Sequence, residues 1–291
     1  MLAAAPAAAP RPVVVASKID TEGALLGNMI LQLLAAHGVP AEDKIQLGPT
    51  DIVRRALVAG QIDVYPEYTG NGAIFFHTPN DPAWKDGAAG YRLVASLDEQ
   101  RNGLVWLAAA PADNTWVIAL RRGLARRRHI ATLADLARYL KGGGRFRLAA
   151  SAEFVESPAA LPAFEKTYGF QLSDRQLLTL SGGNTAATLR AAAEKMSGVN
   201  AAMAYGTDGA LSALGLVALR DDKGAQTVYR PAPVVRGEVL KRYPQLPSLL
   251  DPVFATLTRE RLQRLNAKIA VDGERAQAVA AAYLKKRQFL K

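Results

Sequence analysis

The chain has 291 residues, 49% of them hydrophobic and 21% charged, with a formal net charge of +10 and no cysteine. That length holds two modest lobes or one large domain, and no run reaches the ~18 uncharged apolar residues of a membrane helix. The lack of cysteine excludes thiol catalysis, cysteine zinc sites and disulfides.

In chain order, residues 1–12 are Ala/Pro-rich and read as a disordered leader, with no full signal peptide visible. Val13 to Ser17 is a short apolar run expected to be a buried parallel strand. Asp20 or Thr21 then caps a helix whose apolar face is Leu25, Leu26, Met29, Ile30, Leu33 and Leu34, with Gly38 at its end. Ile45 to Leu47 reads as a strand, Thr50 and Asp51 as the cap of a helix running to Ala59, and Ile62 to Tyr65 as a third strand. Strand, helix, strand, helix, strand predicts a parallel sheet with right-handed crossovers.

A second block begins near Thr115. Strands are expected at 116–120, 146–150, 177–180 and 201–204, helices at 133–140, 161–168 and 185–195. After about Leu219 the pattern changes to an extended, Pro-rich stretch at 228–235 and then helices near 247–256, 259–270 and 273–286. The fold class is therefore α/β with two lobes. Residues 13–115 and 221–291 build the first, residues 116–220 the second, and the crossings near 116 and 220 form a hinge. Ligands of such folds bind in the interlobe cleft, at the carboxyl ends of strands.

Nothing argues for catalysis. There is no nucleophile elbow, no dinucleotide fingerprint after the first strand and no phosphate-loop lysine. Gly142-Gly143-Gly144 and Gly182-Gly183 read as plain turns. The histidines, His37, His77 and His129, lie far apart and in no ligand spacing, so no metal or other cofactor is expected. The run from Arg121 to Arg128 has no interleaved aromatics and reads as a solvated helix or loop face, so no nucleic-acid partner is expected. Four aromatics, Tyr68, Trp116, Tyr205 and Tyr229, sit instead at strand ends or in loops beside small and polar residues. Each is a candidate cleft residue or a half-buried structural ring.

Four segments carry a family resemblance. They are Ser-Lys-Ile-Asp-Thr-Glu from Ser17, Ile-Asp-Val-Tyr-Pro-Glu-Tyr-Thr-Gly from Ile62, Ala-Tyr-Gly-Thr-Asp-Gly from Ala204 and Tyr-Arg-Pro-Ala-Pro-Val-Val from Tyr229. With them the chain, from about Val13 to its end, resembles the glycine betaine/choline-binding proteins of ABC importers, most closely the OsmF-type branch. The resemblance implies a type II periplasmic binding-protein fold, a monomer in the periplasm that closes over one quaternary ammonium ligand and hands it to permease subunits. It implies an aromatic cage of Tyr68, Trp116, Tyr205 and Tyr229 for the cation. Lys18, Asn71 and Ser157 match the positions that hold the ligand carboxylate.

Three of these positions depart from the family pattern. Trp116 replaces a common tyrosine and keeps a π face, Asn71 replaces a frequent threonine and keeps a donor, and Ser157 stands where an arginine is usual. A bidentate clamp thereby shrinks to one hydroxyl. Other readings are a sensory module of the same fold, a binding protein for a different small cationic or zwitterionic ligand, and an enzyme of the porphobilinogen deaminase kind. The last carries its cofactor on a cysteine, which this chain lacks.

Overall fold

Val13–Lys18 is buried at every position and forms β1, the centre from which the first lobe is wound. In a computed structural model, which describes residues 11–180 and 185–290, β1 pairs in parallel with β2 (Ala41–Gly48) and β3 (Val64–Tyr68). The leader expected over residues 1–12 lies outside the described residues for its first ten, as does Gly182-Gly183. The helix between β1 and β2, Thr21–Ala36, starts where the Asp20 side chain accepts from the Gly23 backbone N–H. It stops where Gly38 turns at φ +71°, the left-handed cap that glycine adopts without strain.

The sheet is completed by two strands from elsewhere, β10 (Pro231–Arg236) and β4 (Leu104–Trp106), giving the order β2-β1-β3-β10-β4. β10 runs antiparallel to both its neighbours. The second sheet repeats the plan. β6 (Leu148–Ser151) lies parallel between β7 (Leu177–Leu180) and β8 (Ala201–Tyr205), and β5 (Trp116–Arg121) runs antiparallel to β8 and to β9 (Leu216–Ala218). Its order is β7-β6-β8-β5-β9. In both sheets the antiparallel strand begins opposite the carboxyl end of the third strand of the parallel trio, so both sheets expose a carboxyl-end edge of like construction.

Each sheet has apolar side chains on both faces. Leu25, Met29, Leu33, Phe254 and Leu284 cover one face of the first, and Trp84, Tyr65 and Val94 the other. Phe154 and Phe164 cover one face of the second, Leu189 and Ala192 the other. The chain crosses between the sheets twice. Asn114 donates its N–H to Tyr229 O before β5 begins, and Thr115 Oγ1 donates to Thr227 O. On the return, Gln226 still bonds Asp221 and Ala160, while Val228 N–H already donates to Trp84 O.

Several local expectations are corrected. The second helix, Thr50–Val58, is capped at Pro49 with no side-chain bond, and Asp51 instead pairs with Arg55 four residues on. The third strand lies two to three residues later than the 62–65 expected, which makes Tyr68 its last residue. The helix Gly87–Asn102 was not foreseen. Its buried face holds only Gly90, Val94 and Asp98, too thin an apolar stripe to read as a 3.6-residue period. It is anchored by Asp98, which takes two bonds from Arg54 at 2.9 and 2.5 Å and one from Trp106 Nε1 at 2.7 Å. Of the arginine run, Arg122–Arg128 is helical with Arg126, Arg127 and Arg128 exposed. No helix among the described residues is long and apolar enough to cross a membrane.

Candidate functional site

The strand registers position the aromatic residues. In the second sheet Trp116, first residue of β5, pairs with Tyr205, last residue of β8. Their rings stack with centroids 4.3 Å apart and planes at 26°, and Phe154 packs edge-on behind Trp116 at 5.4 Å. In the first sheet Tyr68, last residue of β3, pairs with Pro231, first residue of β10. Tyr229 lies two residues ahead of that strand. Its ring lies against Gly70, where a Cβ would come within 2.8 Å of two ring carbons and 2.7 Å of Thr227 Cγ2. Position 70 has no room for a side chain, because the Tyr229 ring and the Thr227 methyl fill that space. Asp113 holds Tyr229 from behind by accepting its backbone N–H at 2.8 Å. Tyr205 and Tyr229, from different sheets, lie within electrostatic reach of one another. Both phenols titrate above their ordinary range, burial being the main cause.

Lys18 ends β1 as a buried residue, and its ammonium stands 4.7 Å from the centroid of the Tyr68 ring. It is not a free cation, because Nζ lies 2.5 Å from Oε1 of Glu67, a fully buried carboxylate. The same oxygen accepts from the Tyr68 N–H at 2.5 Å and from Asn71 Nδ2 at 2.7 Å. The other oxygen accepts from the Tyr65 hydroxyl at 2.7 Å. Lys18 and Asn71 thus meet at one acceptor, with donor hydrogens to spare on both. Ser157 is the C-cap of the short helix Ala152–Glu156, with its N–H on Glu153 O. That helix is the one whose Phe154 backs Trp116, and Glu153 is close enough to act on the Tyr205 hydroxyl.

Two residues at the site were not singled out from the sequence. Glu67 lies inside the Pro-Glu-Tyr-Thr-Gly string, but only the fold reveals that it gathers four donors. Glu22, in the first turn of the first long helix, accepts the Tyr68 hydroxyl at 2.8 Å and Asn266 Nδ2 at 2.7 Å. Burial raises its carboxyl to about 7, against hydrogen bonds from Thr207, Tyr68 and Asn266 that lower it. The arrangement offers π faces and the buried or neighbouring carboxylates Glu22, Glu67 and Glu153. It suits the binding of a small organic cation, and it contains no nucleophile paired with a base.

Residues 11–286 match the family described as the substrate binding domain of ABC-type glycine betaine transport systems. The chain is 58% identical over 293 residues to the glycine betaine-binding protein YehZ of Escherichia coli K12, covering all of this chain and 96% of that one. It is 32% identical over 282 residues to a glycine-betaine-binding protein of Pseudomonas aeruginosa, covering 95% and 88%. In structure it superposes on apo YehZ with a TM-score of 0.89, over 96% of this chain and all of that one. A glycine betaine/carnitine/choline transporter protein at 21% identity shares the fold with a TM-score of 0.83. The chain belongs to the family of substrate-binding domains of ABC-type glycine betaine transport systems, two-lobed binding proteins and not enzymes.

Proposed function

We propose that the protein captures one glycine betaine-type molecule between its lobes in the periplasm and delivers it, as a monomer, to the permease of an ABC importer. The observation that carries this reading is the aromatic quartet. Trp116 stacked on Tyr205 comes from one sheet, and Tyr68 with Tyr229 on Gly70 from the other. Such faces attract a quaternary ammonium, which has no N–H to offer and is recognised by ring quadrupoles. The neighbouring carboxylates Glu22, Glu67 and Glu153 add a field of the same preference. In this reading Lys18, Asn71 and Ser157 receive the ligand's carboxylate, and Lys18 and Asn71 do so with the hydrogens left over from Glu67.

Binding would draw the lobes together about the two crossings, since the groups come from both lobes. Residues 13–115 with 221–291 would move against residues 116–220. Calorimetry with glycine betaine, choline, carnitine, proline betaine and ordinary amino acids tests the reading. One-to-one binding of a quaternary ammonium without turnover is expected. Binding of only an ordinary amino acid or an uncharged sugar would overturn it.

A further inference from the structure

The two sheets are joined by more than their chain crossings. The helix Arg259–Ala270 packs on the first helix of lobe one and also on the loop 206–209 that follows Tyr205. Gln263 Nε2 donates to Gly206 O at 2.8 Å, and Asn266 Nδ2 donates to Thr207 O at 3.0 Å. Gly209 sits so close that a Cβ would run into the backbone of Asn266 and Ala267. The same Asn266 amide nitrogen donates to Glu22 Oε2 at 2.7 Å, and Glu22 Oε1 accepts the Tyr68 hydroxyl at 2.8 Å. A continuous buried chain of hydrogen bonds therefore runs from the loop carrying Tyr205 to the ring of Tyr68. Asn266 Oδ1 is buried with no partner among the described residues. An orphaned acceptor in a buried network is a cost that packing alone does not explain.

We infer that Glu22 and Asn266 are positioning residues of the aromatic cage, presetting its two halves against one another and presenting the charge of Glu22 to the bound cation through Tyr68. This rests on the cage reading above. Hydrogen bonding of a phenol to a carboxylate enriches its ring, and the carboxylate itself adds a longer-range attraction. The charged groups around Glu22 leave it without a cation of its own. Asp20 caps its helix, Tyr68 faces it from β3 and Thr207 from the loop after Tyr205, and Glu67 acts on the same Tyr68 hydroxyl. Lys18, from β1, is committed to Glu67. Asp208 follows Thr207 in the loop and accepts the Tyr205 N–H, and the facing helix contributes the neutral Asn266. With its carboxyl at about 7, Glu22 changes charge near neutrality. A quaternary ammonium has no proton to lose and the betaine carboxyl titrates far below this range, so pH acts on the protein alone.

The test is calorimetry of glycine betaine and choline on the full chain between about pH 8 and about pH 6. In the wild type, Kd for both ligands should rise about five- to tenfold on acidification, as the anion facing the cation is neutralised. Glu22→Gln should flatten the profile to within about twofold, which distinguishes Glu22 from Asp208, whose carboxyl burial raises to about 6. Asn266→Ala should weaken both ligands while keeping the pH step. Asn266→Asp, which sets a second carboxyl against Glu22, should move the step to higher pH, and it reports on the inference even if Glu22→Gln fails to fold. A wild-type Kd that ignores pH, a Glu22→Gln profile as steep as wild type, or a step unmoved in Asn266→Asp overturns the inference alone. A wild type that binds no quaternary ammonium at any pH removes the cage reading, and this inference with it.

Discussion

Lys18 and Glu67 form a buried ion pair, 2.5 Å from Nζ to Oε1, directly beside the Tyr68 ring. The lysine assigned to the ligand's carboxylate is thus already neutralised by the protein's own. Glu67 is fully buried and its four donors arrive from Lys18, Tyr65, Tyr68 and Asn71. Such a pair fixes geometry more reliably than it adds stability, because both ions lose their water.

The first prediction follows from that burial. Lys18→Met should cost about 3–5 kcal/mol of folding stability, since it strands a buried carboxylate without its cation. The double variant Lys18→Met/Glu67→Gln should recover most of this loss. Urea unfolding of the two variants checks it. A Lys18→Met protein as stable as wild type would show that Glu67 is not held as an anion. Any loss of betaine binding in the single variant has to be read against its stability, and the double variant provides that control.

The cage makes a different prediction. Tyr205→Ala and Tyr229→Ala should each weaken a quaternary ammonium by about 0.5–2 kcal/mol for the cation–π face removed. Tyr205→Ala should stand at the upper end, because it also releases Trp116 from its stack, an arrangement worth about 0.5–1.5 kcal/mol. The phenylalanine variants should cost less, as the faces survive. Titration calorimetry of the four variants decides. Equal losses for alanine and phenylalanine would point to the hydroxyls and away from the rings.

Much of this fold is legible in the sequence because its elements carry strong local periods. Leu161–Tyr168, Leu177–Leu180 and Arg259–Ala270 have the bounds that their patterns predict. The helix Gly87–Asn102 escapes because Val94 is its one large apolar side chain that is fully buried, with Tyr91, Leu93 and Leu97 only half-buried, and because its buried anchor is the ion pair of Asp98 with Arg54. The aromatic residues of the site stand out because each interrupts its local pattern with a ring that no neighbouring apolar residue accounts for. Their partners do not. Glu22 reaches Tyr68 across 46 residues and Asn266 across 244, and no spacing rule connects them. Acidic residues in a helix's first turn are common on dipole grounds alone, so Glu22 reads as an ordinary N-terminal acid until the fold buries it.

Glu22 also leads to a prediction about stability and pH. Its carboxyl rises from 4.5 to about 7 on folding, mainly by desolvation. The folded state then binds its proton more tightly than the unfolded state, so this group's contribution is complete below the unfolded value and is lost as pH climbs through about 7. The charged form therefore burdens the fold by up to about 3 kcal/mol above neutrality. Glu22→Gln should remove that burden. Its amide oxygen can still accept from Asn266 Nδ2, and its NH2 can donate to the Tyr68 hydroxyl oxygen, which leaves the Asn266 bond to Thr207 in place. Melting temperatures of variant and wild type should diverge in the variant's favour between about pH 5.5 and about pH 8. A gap that is constant with pH, or that closes as pH rises, contradicts the assignment.

The last prediction concerns Ser157, which by the sequence resemblance is matched to a position where an arginine is expected to hold the ligand's carboxylate. It ends the helix Ala152–Glu156 with φ −66° and ψ 123°, a backbone conformation open to any residue, so a longer side chain introduces no backbone strain. The next residue, Pro158, fixes the onward direction of the chain. Phe154 of the same helix packs behind Trp116, so an arginine at the helix end starts beside the cage. Ser157→Arg should supply a charge-assisted and potentially bidentate contact to a ligand carboxylate, worth roughly 1.5–3 kcal/mol before the cost of ordering the chain. That ordering takes back up to about 2 kcal/mol, so the expected gain is near the low end, about tenfold in Kd. The gain should be selective. Glycine betaine has the carboxylate and should tighten, whereas choline has none and should weaken slightly, since the new cation repels it without compensation. Calorimetry of both ligands on wild type and variant measures the ratio directly. Equal changes for the two ligands, in a variant that melts like the wild type, would mean that position 157 does not face the carboxylate, and the weakened anion end would then need another cause.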